Sequence, residues 1–252
     1  MVKASNSKKK ATQTNTSFIK KAWKWLLKTL LYMFITSLVY VFACRWIMPP
    51  ITITQISNSF SYGLKRDYVD WNEISTNVKL AAIASEDQTF PDHSGFDFDA
   101  IQKSLQPKKK GKKKKIPLGG GASTITQQTA KNIFLWQGSG ATKYIRKVPE
   151  VYFTLLIELI WGKQRILEVY LNTIEMGPGI FGIDAASQAY FNKSAKALTK
   201  QEAAMIIACL PNPKKFTVKP ISRRVAWRSP QIIREINNIS DDEDVQILIG
   251  KK

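Results

Sequence analysis

One apolar stretch limits what this chain can become. From Trp25 to Met48 it reads WLLKTLLYMFITSLVYVFACRWIM, 24 residues broken only by Lys28 near one end and Arg45 near the other. As a helix rising ~1.5 Å per residue this run spans about 36 Å, enough to cross a hydrocarbon core of roughly 30 Å with both charges reaching the interface. Trp23, Trp25 and Trp46 stand where interfacial aromatics belong. A cleaved signal peptide is the alternative, but the run is long and ends in Arg45-Trp46 and Met48-Pro49-Pro50, without a small-x-small cleavage pattern. Lys8, Lys9, Lys10, Lys20, Lys21 and Lys24 all precede it. The positive-inside rule then gives a cytoplasmic tail at 1–24, a transmembrane helix at 25–48 and an exported remainder.

Charge sharpens this division. The chain carries +19 in 252 residues. Residues 1–48 hold eight lysines and one arginine with no acid, and 106–117 (QPKKKGKKKKIP) holds seven lysines with no acid. The rest has 22 basic against 19 acidic residues, so a basic nucleic-acid-binding body is excluded. The Lys-rich segment lacks apolar periodicity and repels itself, which predicts a mobile loop, either a solvated spacer or a strip lying against anionic lipid. Cys44 falls inside the span and Cys209 in an apolar run, so the two read as buried thiols rather than a disulfide.

Beyond Pro49-Pro50, ITITQI (51–56) reads as a short strand or an extended connector. Asp70-Trp71-Asn72-Glu73 fits a capping box opening a helix with Ile74, Val78, Ala81, Ala82 and Ser85 on its periodic face. Further helices are predicted at 123–135, 143–161, 163–173, 182–191 and 199–209. Strand signals are few, so the body reads as a mainly α domain over 49–220, followed by an extension at 221–252 with no assigned role.

Three places have the residues for chemistry. Glu86-Asp87 closes the first helix of the body, where the negative dipole end makes a carboxylate more basic, as a general base acting on an alcohol requires; an acidic surface pair is the plain alternative. GGGASTITQQTAKNIFL (119–135) leads three glycines into a helix start, a seat for phosphate, with Ser123, Gln127 and Lys131 spaced by four along one stripe. An exposed polar helix face explains that stripe equally. The lysine lies inside the helix, so this is not a nucleotide P-loop. In KYIRKVPE (143–150), Arg146 and Glu150 are four apart, suited to a site or to a plain intrahelical ion pair, and Pro149 must bend or begin a helix there. VYFTLLIELIWG (151–162), apolar nearly all round, reads as a core helix or one touching membrane. With a single histidine and no C-x-x-C, zinc chemistry and a Ser-His-Asp triad are poorly supplied. What remains is carboxylate acid/base work beside a phosphate-binding surface: glycosyl or phosphoryl transfer on a phosphate-linked substrate.

EDQTFPDHSGFD, GASTITQQTAKNIFL, RKVPE, KQRILEVYLNTIEMGPGIFGIDAA and LTKQEAAMIIACLPNPKKF, in this order, resemble the motifs of the peptidoglycan glycosyltransferases, glycosyltransferase family 51, across about residues 50–220. The resemblance implies a lysozyme-like, mostly helical fold with a smaller membrane-proximal lobe. It also implies an enzyme of the bacterial inner membrane with its catalytic domain outside. Its substrates would be lipid II and a growing lipid-linked glycan strand, joined by an inverted β-1,4 bond as undecaprenyl diphosphate leaves. By motif, Glu86 matches the general base and Glu150 the second glutamate near the donor diphosphate. Ser123, Gln127, Lys131, Asn132, Lys143, Arg146 and Lys147 would bind substrate. Since no transpeptidase motifs follow, a monofunctional enzyme is expected, working beside other cell-wall synthesis proteins.

No cofactor is required on this reading. A divalent ion, Mg2+ or Mn2+, would bridge Glu150 and the diphosphate if one assists, as no carboxylate cage is evident. Many family members carry an arginine four residues before the arginine of RKxxE, where this chain has Thr142 followed by Lys143; a lysine lacks the bidentate fork. A glycan-cutting hydrolase of the same fold is one competing reading, though it has no need of the Lys131 and Arg146 cations. A catalytically idle scaffold is another, opposed by the intact glutamates.

Overall fold

In the computed structural model, residues 3–105, 123–138 and 140–250 are described, so the Lys-rich segment at 106–117 and the glycine run at 119–121 lie outside the described residues. The chain divides into two units, 1–46 and 47–252.

The first unit is one helix, α1 (Lys3–Ala43), whose stretch Phe18–Ala43 is long and apolar enough to cross a membrane. Its apolar side chains are almost all exposed, as expected of a surface meant for lipid rather than for a protein core. The helix stops at Ala43, short of the 48 predicted. Arg45 and Trp46 donate their N–H groups three residues back, to Phe42 and Ala43, at 3.2 and 3.1 Å, the tightening that ends a helix ahead of Pro49-Pro50.

The second unit is helical apart from one small sheet. ITITQI is neither strand nor connector, because Thr52 and Gln55 form a reciprocal capping box that starts α2 (Ile53–Tyr62). That cap, worth ~1 kcal/mol, outweighs the period-two alternation. Asp70 likewise caps no α-helix. It precedes a single 3-10 turn, Trp71–Glu73, and the helix begins later, at α3 (Thr76–Glu86), where the Ser75 hydroxyl accepts from Asn77 N at 3.1 Å. The Trp71 N–H donates to Glu168 at 2.8 Å, which ties this turn to the helix at 163–173.

The remaining helices are α4 (Phe98–Leu105), α5 (Ile125–Phe134), α6 (Thr142–Ile145), α7 (Lys147–Ile160), α8 (Lys163–Thr173), α9 (Ile183–Phe191), α10 (Lys200–Ala208), α11 (Arg223–Ile239) and α12 (Glu243–Ile249). The helix predicted over 143–161 breaks at Arg146, and Pro149 falls in the first turn of α7, where a missing N–H costs little. Strands β1 (Lys65–Arg66), β2 (Glu175–Gly177) and β3 (Ile180–Phe181) lie in the order β1-β3-β2, with β1 parallel and β2 antiparallel to β3. The β2–β3 turn needs its glycine: Gly179 has φ +69°, and a Cβ there would lie 2.6 Å from the carbonyl oxygens of Tyr62 and Gly63.

α3 is the hub. Val78, Ala81, Ala82 and Ile83 are fully buried. The alanines let α10 and α11 approach closely, helped by Ala203 and Ala204 of α10. α5 packs on α7 and α8. Residues 221–252, without a role in the sequence reading, thus include a helix packed against α3, the element that ends in Glu86.

Candidate active site

Burial and hydrogen bonding converge on the end of α3. Glu86 is its last residue and half-buried. Its Oε1 accepts from Ser85 Oγ at 3.3 Å and its Oε2 from Gln128 Nε2 at 3.1 Å. Gln128 is itself oriented: the Tyr170 hydroxyl donates to its Oε1 at 3.3 Å, which leaves the amide NH2 for Glu86. Burial raises the Tyr170 pKa, so this hydroxyl stays a donor. Loss of hydration pushes the Glu86 carboxyl above the usual glutamate value, against the two hydrogen bonds and the charges of Arg228 and Lys131. The helix dipole alone predicts a basic Glu86, and burial acts in the same direction.

Asp87 does a different job. It is buried, and its Oδ2 accepts from Ile125 N at 2.9 Å, at the start of α5. His93 Nδ1 accepts the Gly95 N–H at 3.1 Å, so its Nε2 carries the proton and donates to Asp87 at 3.0 Å. Thr124 Oγ1 donates to Gly95 O at 2.7 Å. Gly95 has φ +87°, and a Cβ would lie 2.9 Å from the side chains of Thr154 and Glu158 on α7. The motif SEDQTFPDHSGFD therefore locks α3, α5 and α7 together, with its one histidine in a structural place.

At the expected phosphate seat, the glycine run lies outside the described residues and part of the helix start is already occupied. Of the N–H groups opening α5, Ile125's is taken by Asp87 and Gln127's by Thr124 Oγ1, at 2.9 and 3.1 Å. Gln127 completes a capping box through its own Oε1 to Thr124 N and is buried, so its amide oxygen is committed to the helix end; Gln128 reaches Glu86 instead. Ser123 is half-buried just ahead of that cap. Asn132 is buried with its Nδ2 lacking a partner among the described residues.

Lys131 links two carboxylates. Burial lowers its pKa, as do the charges of Arg146 and Lys147, while Glu150 and Glu86 raise it. Glu150, in the first turn of α7, is only 2% exposed. Lys147 Nζ donates to its Oε1, and Arg146 Nε lies 3.6 Å from its Oε2. Arg146 is 6% exposed and its Nη1 donates to the carbonyls of Trp136 and Gln137, both at 2.9 Å. It therefore holds the segment after α5 and braces Glu150, whereas Lys147 is half-exposed and Lys143 lies exposed on α6. Among the described residues no three His, Cys, Asp or Glu side chains come together. Glu150, the carboxylate expected to share any divalent ion with a diphosphate, faces Lys147 and Arg146.

Along α6 and α7, Tyr144, Val148, Val151, Leu155 and Leu159 recur at helical spacing on an exposed apolar stripe, while Ile157 and Trp161 point into the core. The 151–162 segment is core on one side and uncovered on the other.

Lys131 thus lies in the electrostatic reach of Glu86 on one side and of Arg146, Lys147 and Glu150 on the other, while Gln128, Tyr170 and Arg228 surround Glu86. A family model described as Transglycosylase matches residues 53–237. The biosynthetic peptidoglycan transglycosylase of Bdellovibrio bacteriovorus is 44% identical over 220 residues, covering 84% of this chain and 85% of that protein. The proteins of the same description from Shewanella oneidensis and Pseudomonas syringae pv. tomato are 42% and 41% identical over 228 residues, each covering 88% of this chain, with 94% and 93% of their own length aligned. With the family match covering most of the chain, and relatives above 40% identity aligned along nearly their whole length, the chain belongs to the transglycosylase family.

Proposed function

We propose that this enzyme is a peptidoglycan glycosyltransferase that polymerises lipid II at the outer face of the bacterial inner membrane. The observation that carries the reading is the pairing of a desolvated, doubly hydrogen-bonded Glu86 with a cluster of cations around Glu150. Glu86 accepts the proton of the acceptor sugar's 4-hydroxyl. The freed oxygen attacks C1 of the donor sugar from the face opposite its phosphate, the C1–O bond to the diphosphate breaks, and the configuration inverts to β. The electron pair leaves with undecaprenyl diphosphate. No strong acid is needed there, because Lys131 and Lys147 absorb the developing charge, with Lys143 on the exposed side. Arg146 acts from behind, fixing Glu150 and the 136–137 backbone.

Both substrates are lipid-tailed, and the chain has apolar surface to meet them. α1 would span the membrane with its lysine-rich end in the cytoplasm. The Tyr144–Leu159 stripe would dip into the outer leaflet.

The test is lipid II polymerisation by the full-length enzyme in liposomes. The unmodified protein should build glycan strands and Glu86→Gln should not. Inactivity of the unmodified protein would sink the function, and activity of Glu86→Gln would sink the base assignment.

A further inference from the structure

α11 carries a buried arginine that the chemistry above does not use. Arg228 is 2% exposed, and its Nη1 and Nη2 donate to the two oxygens of Glu235 at 2.8 and 2.9 Å. A guanidinium buried this deeply forfeits most of its hydration, and one bidentate partner on the same helix is a poor reason to bury it. Its other contact is informative. Nη2 also points at Ser85 Oγ, 3.5 Å away, and Ser85 Oγ donates to Glu86 Oε1 at 3.3 Å. Ser85 is buried too, so no solvent competes along this line.

We infer that Arg228 is a positioning residue for the general base: clamped by Glu235, it turns the Ser85 hydroxyl toward Glu86 and holds a fixed positive charge behind that carboxylate. The inference rests on the reading of Glu86 as the base. An arginine only donates, so Ser85 must accept from it and spend its own proton on Glu86. The guanidinium keeps its charge at any working pH. Ser85 then fixes one oxygen from the α11 side while Gln128 fixes the other from α5, which sets the carboxylate plane from two directions.

The groups facing Glu86 are Lys131 from α5, Tyr170 from α8, Cys209 after α10, Arg228 from α11 and the adjacent Asp87; among the described residues α12 brings no titratable group to it. Only Lys131 and Arg228 favour the ionised form by charge. Lys131 shares its charge with Glu150, whereas Arg228 is tied to Glu235.

The experiment is kcat and KM for lipid II across pH with full-length Arg228→Met, Glu235→Gln and Ser85→Ala. Arg228→Met should lower kcat about tenfold, leave KM within about twofold, and move the acidic limb of the kcat profile to higher pH by about half a unit or more. Glu235→Gln frees the guanidinium charge from its counter-ion and should move that limb the other way. Ser85→Ala keeps the charge but loses the donor, so its limb should rise. A loosened fold does not displace the limb in opposite directions. An unmoved limb in folded Arg228→Met and Glu235→Gln, or a shift of the same sign in both, overturns the inference; if Arg228→Met does not fold, Glu235→Gln and Ser85→Ala decide it alone. Glu86→Gln separates the two levels. If it polymerises lipid II, the base assignment falls; if it is inactive and the limbs stay put, only the role of Arg228 falls.

Discussion

Glu86 and Glu150 are carboxylates of one site in opposite circumstances. Glu86 ends α3, at the negative end of a helix dipole, and is held by neutral donors, with its cations at one remove. Glu150 stands in the first turn of α7, where the dipole favours negative charge, and is paired directly with Lys147 and Arg146. A base must be willing to take a proton, so its charge is kept expensive. A carboxylate that organises cations is paired with them directly. Identical side chains are separated in role by what the fold sets around them.

The contrast breaks most visibly in substitution. Glu86→Gln should cost about 10²–10⁴-fold in polymerisation rate, the usual worth of a general base. It should also raise the melting temperature at neutral pH, because it removes a charge the fold pays to dehydrate. Glu150→Gln should lower the melting temperature, costing roughly 1–3 kcal/mol, since it strands the buried Arg146 while Lys147 escapes to water. Equal stability changes in the two variants, read by thermal unfolding in detergent, would erase the distinction.

The same contrast predicts a pH profile. Because the folded Glu86 carboxyl titrates above its unfolded value, the native state binds the extra proton first, and this group's contribution to stability improves as pH falls through that raised value. Activity moves oppositely: the base is lost over the same window, so the acidic limb of kcat/KM, which reports the free enzyme, should lie above the ordinary glutamate pKa of 4.5. A limb at or below that value would show that burial does not govern this carboxyl.

Much of this was readable in the chain. The helix at 163–173 appears with the predicted ends, because its apolar period is regular and Gly162 opens it. Glu86 is singled out by helix-end chemistry and motif, Glu150 by its spacing of four from Arg146 and by motif, and the fold puts the one at the end of α3 and the other in the first turn of α7. The failures have two sources: a second local signal that wins over the one read first, and partners remote in sequence. The period-two pattern of ITITQI lost to a capping box legible in the same six residues. Asp70 makes no side-chain cap and opens only a 3-10 turn, and the helix waits for Ser75, whose hydroxyl does cap it. Arg228 was invisible because its meaning comes from Ser85, 143 positions back, and neither residue is unusual by itself. Helix ends are local chemistry; the company a buried charge keeps is a property of the fold.

The finest test of that lesson lies in two adjacent glutamines. The spacing Ser123, Gln127, Lys131 assigned the ligand role to Gln127, yet Thr124-x-x-Gln127 is also a capping box, and the cap took it. Gln128 sits one position on and three before Lys131, on the side of α5 that meets Glu86 and Tyr170. Gln127→Ala should therefore act on stability, by about 1 kcal/mol, with the folded enzyme still polymerising lipid II. Gln128→Ala should act on catalysis, lowering kcat by about tenfold and raising the acidic limb, because Glu86 loses a donor to its ionised form. The two differ by one residue number and a rotation of about 100° around the helix, which is the whole difference between a side chain that closes a helix end and one that faces the reaction. If the effects are exchanged, with Gln127→Ala silent in stability and damaging to kcat, then spacing outranks capping at this site and the cap geometry has been misassigned a purely structural role.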